Sequence, residues 1–249
     1  MLQIQVAVAK VARHGNGESG DTLEMIERPG GGFSFVLVDG EGSGRGAKTL
    51  SNLLATRAIS LLKDGARDGA AARAVHDYLY TYRMGQVAAT LNILSVDFQS
   101  GKILMSRNNP APFFVISRSG LHSYNEPSSP IGLQPMIKPV ITELPVSPYT
   151  YVVVFTDGLN RAGERYGDDL GLVNFLSGWP AEAGRSAEEL TEEVLRRALE
   201  VDRGQPSDDM SILTLAVLPS NAEQRVRRLV TTMPVEAPTW PTPALPEAE

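Results

Sequence analysis

Cysteine is missing from the chain altogether. Its absence rules out a disulfide framework, thiolate metal ligation and a thiol nucleophile, and suits a reducing compartment. Positive charge is also in short supply: 23 Lys and Arg face 29 Asp and Glu, for a net charge of -6 and a pI near 5.2. Extended nucleic acid is therefore a poor partner, because its phosphates call for a basic face that releases counterions. No apolar run approaches the ~20 residues that a membrane helix requires. The start, Met1-Leu2-Gln3-Ile4-Gln5, lacks both the cationic opening and the continuous apolar stretch of a secretory leader. These absences predict a cytoplasmic protein that binds neither nucleic acid nor membrane.

What is present is a chain of 249 residues, 42% hydrophobic, enough for one substantial core. Residues 2 to 12 alternate polar and apolar, which predicts a half-buried strand. His14 to Gly20 forms a polar, Gly-rich turn. After Gly40 to Gly46, Leu50, Leu53, Leu54, Ala58, Leu61 and Leu62 recur at helical spacing. A second helix follows, with Ala70, Ala74, Val75, Tyr78 and Tyr82 as its expected inner face. From Ala88 to Phe155 the pattern changes to short β-runs: Leu91 to Phe98 and Ile103 to Met105 joined by Gln99-Ser100-Gly101, then Phe113 to Ile116 and Leu121 to Tyr124 joined through Ser119-Gly120. They read as an antiparallel meander. Ser186-Ala187-Glu188-Glu189 is a capping box opening a helix with Leu190, Val194, Leu195 and Ala198 on one face. The order of strands, two helices, many strands, two helices and a strand predicts an α+β layered domain over residues 1–219. Residues 220–249 turn polar and then Pro-rich, which predicts an extended or disordered tail.

Chemistry is concentrated in aspartates. Two apolar runs, Phe33 to Val38 and Tyr151 to Phe155, lead into Asp39-Gly40 and Asp157-Gly158, and Asp208-Asp209 stands immediately before the apolar run Met210 to Leu218. An Asp-Gly after a strand is most often a plain turn. Two of them, an acidic pair before a strand and Gly20-Asp21 upstream form a rarer combination. Carboxylates held at strand ends build an oxygen-only cage for hard divalent cations, and their mutual repulsion is relieved when cations neutralise them. A pair of such ions lowers the pKa of a shared water and clamps a phosphoryl group. The residues thus predict a metal-dependent enzyme acting on phosphate.

Taken in order, Gly20-Asp21, Asp39-Gly40-Glu41-Gly42-Ser43-Gly44, Ala89-Thr90, Pro130-Ile131-Gly132, Thr156-Asp157-Gly158-Leu159-Asn160 and Ser207-Asp208-Asp209-Met210-Ser211 resemble the motif set of the metal-dependent PPM/PP2C-type serine/threonine phosphatases. The bacterial SpoIIE-like branch is the nearest in spelling, and within it the small stand-alone feedback phosphatases of the stressosome. The resemblance covers residues 5 to 218. It implies a four-layer α-β-β-α sandwich of two antiparallel sheets flanked by helices, with two Mn2+ or Mg2+ ions at one edge. Carried over by position, Asp39 would bridge the metals and Gly40 would lend its carbonyl. Asp157 and Asp208 would hold one ion, and Asp21 would act directly on a metal or one step behind. Asp209 belongs to the same candidate set, with Asp208 preferred. A metal-bridging water would attack the phosphorus of phosphoserine or phosphothreonine, and the implied substrates are phosphorylated STAS-domain regulators of a sigma-factor or stressosome pathway. Where many relatives have a histidine able to protonate the leaving alkoxide, this chain has Glu41 and Ser43, and the stretch Arg107-Asn108-Asn109-Pro110 departs from the usual spelling as a tolerated loop change. No PAS or GAF sensor is expected.

Two other readings compete. Gly42-Ser43-Gly44-Arg45-Gly46-Ala47-Lys48-Thr49 differs from the P-loop pattern G-x-x-x-x-G-K-S/T only at Ala47, and predicts a nucleotide-binding protein if the sheet is parallel. A non-catalytic phosphatase-fold scaffold that binds a phosphoprotein is the other. An EF-hand-like loop starting at Asp39 fails at its twelfth position, Leu50. Lys10, Arg13 and Arg45 lie near the acidic motifs and could meet a substrate phosphate, although solvated surface charge is the more economical reading. His14 is expected to be exposed and idle, and His76 and His122 lack partner spacing for a metal.

Overall fold

The apolar runs Phe33 to Val38, Tyr151 to Phe155 and Met210 to Leu218 are buried almost end to end rather than on alternate residues, which requires cover on both faces. That cover is visible in the computed structural model, which describes residues 1–221 and 226–234. Among the described residues, ten strands form two five-stranded sheets, antiparallel throughout. One sheet has the order β1 (Leu2–Val11), β10 (Met210–Pro219), β9 (Thr150–Phe155), β6 (Phe113–Ser117), β7 (Gly120–Tyr124). The other has the order β2 (Thr22–Glu27), β3 (Phe33–Gly40), β4 (Ala89–Asp97), β5 (Lys102–Asn108), β8 (Val140–Pro145).

Successive side chains of a strand point to opposite faces, so each run feeds two cores. In β3, Phe35 and Leu37 meet Val152, Val154, Leu213 and Leu215 between the sheets. Val36 and Val38 point the other way, under α1 (Gly44–Lys63) and α2 (Asp68–Arg83) with Leu54, Ala58 and Val75. In β9, Tyr151, Val153 and Phe155 pack against Leu190 and Val194 of α5 (Ala187–Val201), joined by Leu159 of α3 (Asp157–Asn160) and Leu176 of α4 (Leu172–Ser177). The result is the four-layer α-β-β-α sandwich. Leu213, fully buried in its middle, is a site where truncation to Ala costs roughly 2–5 kcal/mol. No helix among the described residues is long and apolar enough to cross a membrane.

Strongly local signals translate directly. The β4–β5 hairpin closes from Asp97 opposite Lys102, and both arms of the Ser186–Glu189 capping box are formed. Elsewhere the structure corrects the expectation. The β-runs are not one meander: β4–β5 lies in one sheet and β6–β7 in the other. The crossing between them is fastened by Arg107, only 1% exposed, which donates to the carbonyls of Asn109 (2.6 Å), Ala111 (3.0 Å) and Glu126. Arg107 and Asn108 therefore belong to β5 and help hold the crossing in place, rather than lying in a loop. The buried face of α2 is Ala71, Ala72, Val75, His76 and Leu79, while Ala70, Ala74 and Tyr82 are exposed. The face rotates because two small alanines allow close packing and the His76 ring is drawn inward, its Nδ1 accepting from the Gly132 N–H at 3.1 Å. Tyr78 and Tyr82 do share a face and stack on each other, Tyr78 half-buried against the helix-side core with Arg57 over its ring and Tyr82 exposed. Strands β2 and β8 and the short helices α3 and α4 had no separate signal.

Beyond β10, residues 226–234 are exposed and form neither helix nor strand, and Arg227 pairs with Glu27 at 3.2 Å. Pro234 belongs to this stretch, whereas Pro238, Pro241, Pro243 and Pro246 of the expected tail lie outside the described residues.

Candidate active site

Asp39 sits at the end of β3, Asp157 opens α3 just after β9, Asp208 and Asp209 precede β10, and Asp21 precedes β2. The two sheets bring these four strand ends to a common edge. Asp21, with no exposed surface, reaches across both sheets: its Oδ2 accepts from Thr156 Oγ1 at 3.0 Å and from Ser211 Oγ at 2.5 Å. Thr156 Oγ1 in turn accepts the Ser211 N–H at 2.9 Å, and the Thr156 N–H donates to the Ser211 carbonyl at 3.0 Å. Asp39 then lies within hydrogen-bonding reach of both Asp21 and Asp157, and Asp208 feels the charges of Asp157 and Asp209.

Such crowding makes ionisation expensive. Burial, followed by the neighbouring charges of Asp21 and Asp157, pushes Asp39 up to about 10. Burial also lifts Asp21, to about 6, against the pull of Ser211 and Thr156. Asp208 is raised as well, chiefly by burial. A bond between Asp39 and either neighbour exists only while a proton sits between the two carboxyls. Without that proton, Asp21 Oδ1 is buried with no donor among the described residues. A proton is one remedy for this repulsion and a divalent cation is the other.

Among the described residues, no three Asp, Glu or His side chains stand together as a ready-made metal cluster; these carboxyls meet in pairs. The donor set nevertheless fits a hard cation, being all oxygen, acidic, mutually repelling and equipped with one orphaned buried oxygen.

Two glycines are demanded by packing. A Cβ on Gly158 would lie 2.1 Å from the Asp209 carbonyl oxygen, and one on Gly40 would lie 2.6 Å from the Ala47 carbonyl oxygen. The loops carrying the aspartates could not approach each other with larger residues. Asp209 itself is 4% exposed, and both its oxygens take backbone donors: Oδ1 the Arg13 N–H and Oδ2 the Gly20 N–H, each at 2.8 Å. Among the described residues, Asp208, half-buried, takes just its neighbour's N–H, on Oδ1. The pair thus divides its labour, Asp209 tying loops together while Asp208 retains free acceptor capacity. Asp202, fully buried, makes a second clamp from Oδ1 to the Gly163 N–H and from Oδ2 to the Ser207 N–H.

Thr156, Ser211 and Asp202 had no role assigned from sequence. The first two directly follow or flank the acidic motifs at paired strand ends, which is the signal that could have found them. Glu41 offers its Oε2 to the Ala88 N–H at 2.7 Å. His14 and Arg45 are exposed. Lys10 is not idle, since its Nζ donates to the Asp21 carbonyl at 3.0 Å. The P-loop reading fails: both sheets are antiparallel, and Lys48 donates to the Asp21 carbonyl at 2.7 Å and to Thr22 Oγ1 at 3.1 Å.

Two stacked antiparallel sheets between helical layers, with aspartates gathered at one edge, define the PP2C-type phosphatase fold. The chain belongs to the SpoIIE family: residues 29–218 match the family described as stage II sporulation protein E (SpoIIE). The stage II sporulation protein E of Bacillus subtilis (strain 168) is 18% identical over 216 residues, 86% of this chain and 26% of that protein. That of Priestia megaterium is 22% identical over 130 residues, 52% of this chain and 22% of that protein, so the chain spans about a quarter of the length of these relatives. The structure of the PP2C phosphatase domain of SpoIIE from Bacillus subtilis, with a fragment of its regulatory domain, superposes with a TM-score of 0.77 at 17% identity, covering 89% of this chain and 65% of that one.

Proposed function

We propose that this protein is a metal-dependent protein serine/threonine phosphatase. The observation that carries the reading is Asp39, squeezed between Asp21 and Asp157 at the meeting of four strand ends, with a buried Asp21 oxygen that, once the proton shared with Asp39 is lost, has no donor among the described residues. Asp39, Asp157 and Asp208 would hold two Mn2+ or Mg2+ ions, with Gly40 lending a carbonyl and Asp21 alongside. Ions so held supply Lewis acidity toward water and toward phosphoryl oxygens. The chain's own part is orientation: Thr156 and Ser211 fix the Asp21 carboxylate, and Asp209 and Asp202 fix the loops that present Asp208 and Asp157. The substrate is a phosphoserine or phosphothreonine of a STAS-domain regulator, supported by motif spellings similar to those of stand-alone stressosome phosphatases.

Hydrolysis of p-nitrophenyl phosphate in Mn2+ or Mg2+, with and without chelator, tests the chemistry. Wild type should turn over only with metal, and Asp39→Asn should lose at least about 100-fold. Phosphate loss from a phosphorylated STAS domain, followed by mass spectrometry, tests the substrate. Silence with every metal, coupled to retained binding of the phosphoprotein, would instead establish a scaffold.

A further inference from the structure

The P-loop-like lysine is left without a nucleotide to hold, and the structure gives it a different setting. Lys48, in the first turns of α1, and Lys10, near the end of β1, both donate to one carbonyl oxygen, that of Asp21, at 2.7 and 3.0 Å. Their ammonium groups are therefore no farther apart than those two distances laid end to end. Like charges this close repel. Among the described residues neither lysine forms an ion pair with a carboxylate.

The placement matters as much as the charge. The carbonyl that gathers the two lysines belongs to the residue whose carboxylate is held by Thr156 and Ser211 in the acidic centre, so the cationic pair stands one residue's width from the proposed reaction site. Lys10 is exposed and Lys48 half-exposed, leaving both open to an incoming protein. In a chain of net charge -6, this is a local reversal of sign where an anionic substrate must approach, and such reversals set orientation and partner choice.

We propose that Lys10 and Lys48 form a specificity site that binds a carboxylate side chain flanking the phosphorylated residue of the substrate. The inference rests on the phosphatase reading and adds the sequence context that the enzyme prefers. Two synthetic phosphoserine peptides, one with glutamates beside the phosphoserine and one with glutamines there, serve as probes, with p-nitrophenyl phosphate as a substrate lacking any flank. Wild type should cleave the acidic peptide with kcat/KM about 10-fold above the neutral one, mostly through KM. Lys10→Met/Lys48→Met should erase that preference while losing far less on p-nitrophenyl phosphate, and Lys48→Arg should keep it. Equal rates on the two peptides in wild type, or a parallel fall on peptides and p-nitrophenyl phosphate in the double variant, would overturn the site; the latter would show that the lysines merely support Asp21. Wild type inactive even on p-nitrophenyl phosphate with metal would overturn the phosphatase reading, and this inference with it. The comparison of peptides on wild type needs no variant to fold.

Discussion

Asp39 pays for its position in free energy, and the sign of that cost can be measured. A carboxyl whose folded-state pKa is raised takes up a proton on folding, so its stabilising contribution is complete below the unfolded value and is lost as pH rises through the folded one. For Asp39 the window runs from about 4 to about 10, and for Asp21 from about 4 to about 6. Metal-free protein should therefore melt at falling temperature as pH rises from 4 toward 10. Asp39→Asn, unable to ionise, should flatten that decline and melt several degrees above wild type at pH 8 in chelator. In Mn2+ the order should reverse, because only the wild type gains from binding. Differential scanning fluorimetry at stepped pH, with chelator and with Mn2+, reads both signs. Ser211→Ala removes one of the two hydroxyls on Asp21, and partners one step behind a metal commonly control about 10–100-fold in affinity or activity. Its Asp21 should hold its proton to higher pH, so the acid limb of the pH–rate profile should shift upward and the deficit shrink toward alkaline pH.

At the scale of elements, the decisive packing is loop on loop. α3 can begin where it does because Gly158 lets the Asp209 backbone pass beside it. Gly158→Ala should lower the melting temperature by several degrees, at ~2–4 °C per kcal/mol for a domain of this size, and reduce activity because Asp157 and Asp208 move apart. An intact fold with full activity in that variant would show that the contact is dispensable. Here the limits of sequence reading are physical. The twin strand-Asp-Gly runs and the Ser186 capping box were legible because their causes are local: a fully apolar strand, a turn residue, a reciprocal cap. The inner face of α2 keeps Val75 and part of Tyr78 but turns away from Ala70, Ala74 and Tyr82, because tyrosines look like core in a sequence while Ala71 and Ala72 decide the approach. Arg107 looked like a loop substitution because its acceptors, the carbonyls of Asn109, Ala111 and Glu126, are identified only once the chain has crossed between sheets.

Across the whole molecule, aspartates from residues 21 to 208 are carried to one edge because two sheets stack with their strand ends together there, the carboxyls meeting in pairs. The candidate residues were visible in the sequence; their partners were not. That Asp209 is consumed by the Arg13 and Gly20 backbone, or that Lys10 and Lys48 meet at Asp21, depends on contacts spanning most of the chain, which no local pattern encodes. Divalent cations at the acidic edge are what the proposed chemistry requires above all. Anomalous diffraction from crystals grown with Mn2+ tests this most directly. The expected result is two Mn2+ peaks touching Asp39, one of them also bonded to Asp157 and Asp208, at ~2 Å from their oxygens. A map without peaks at that edge, or with Mn2+ bound only elsewhere, would contradict it.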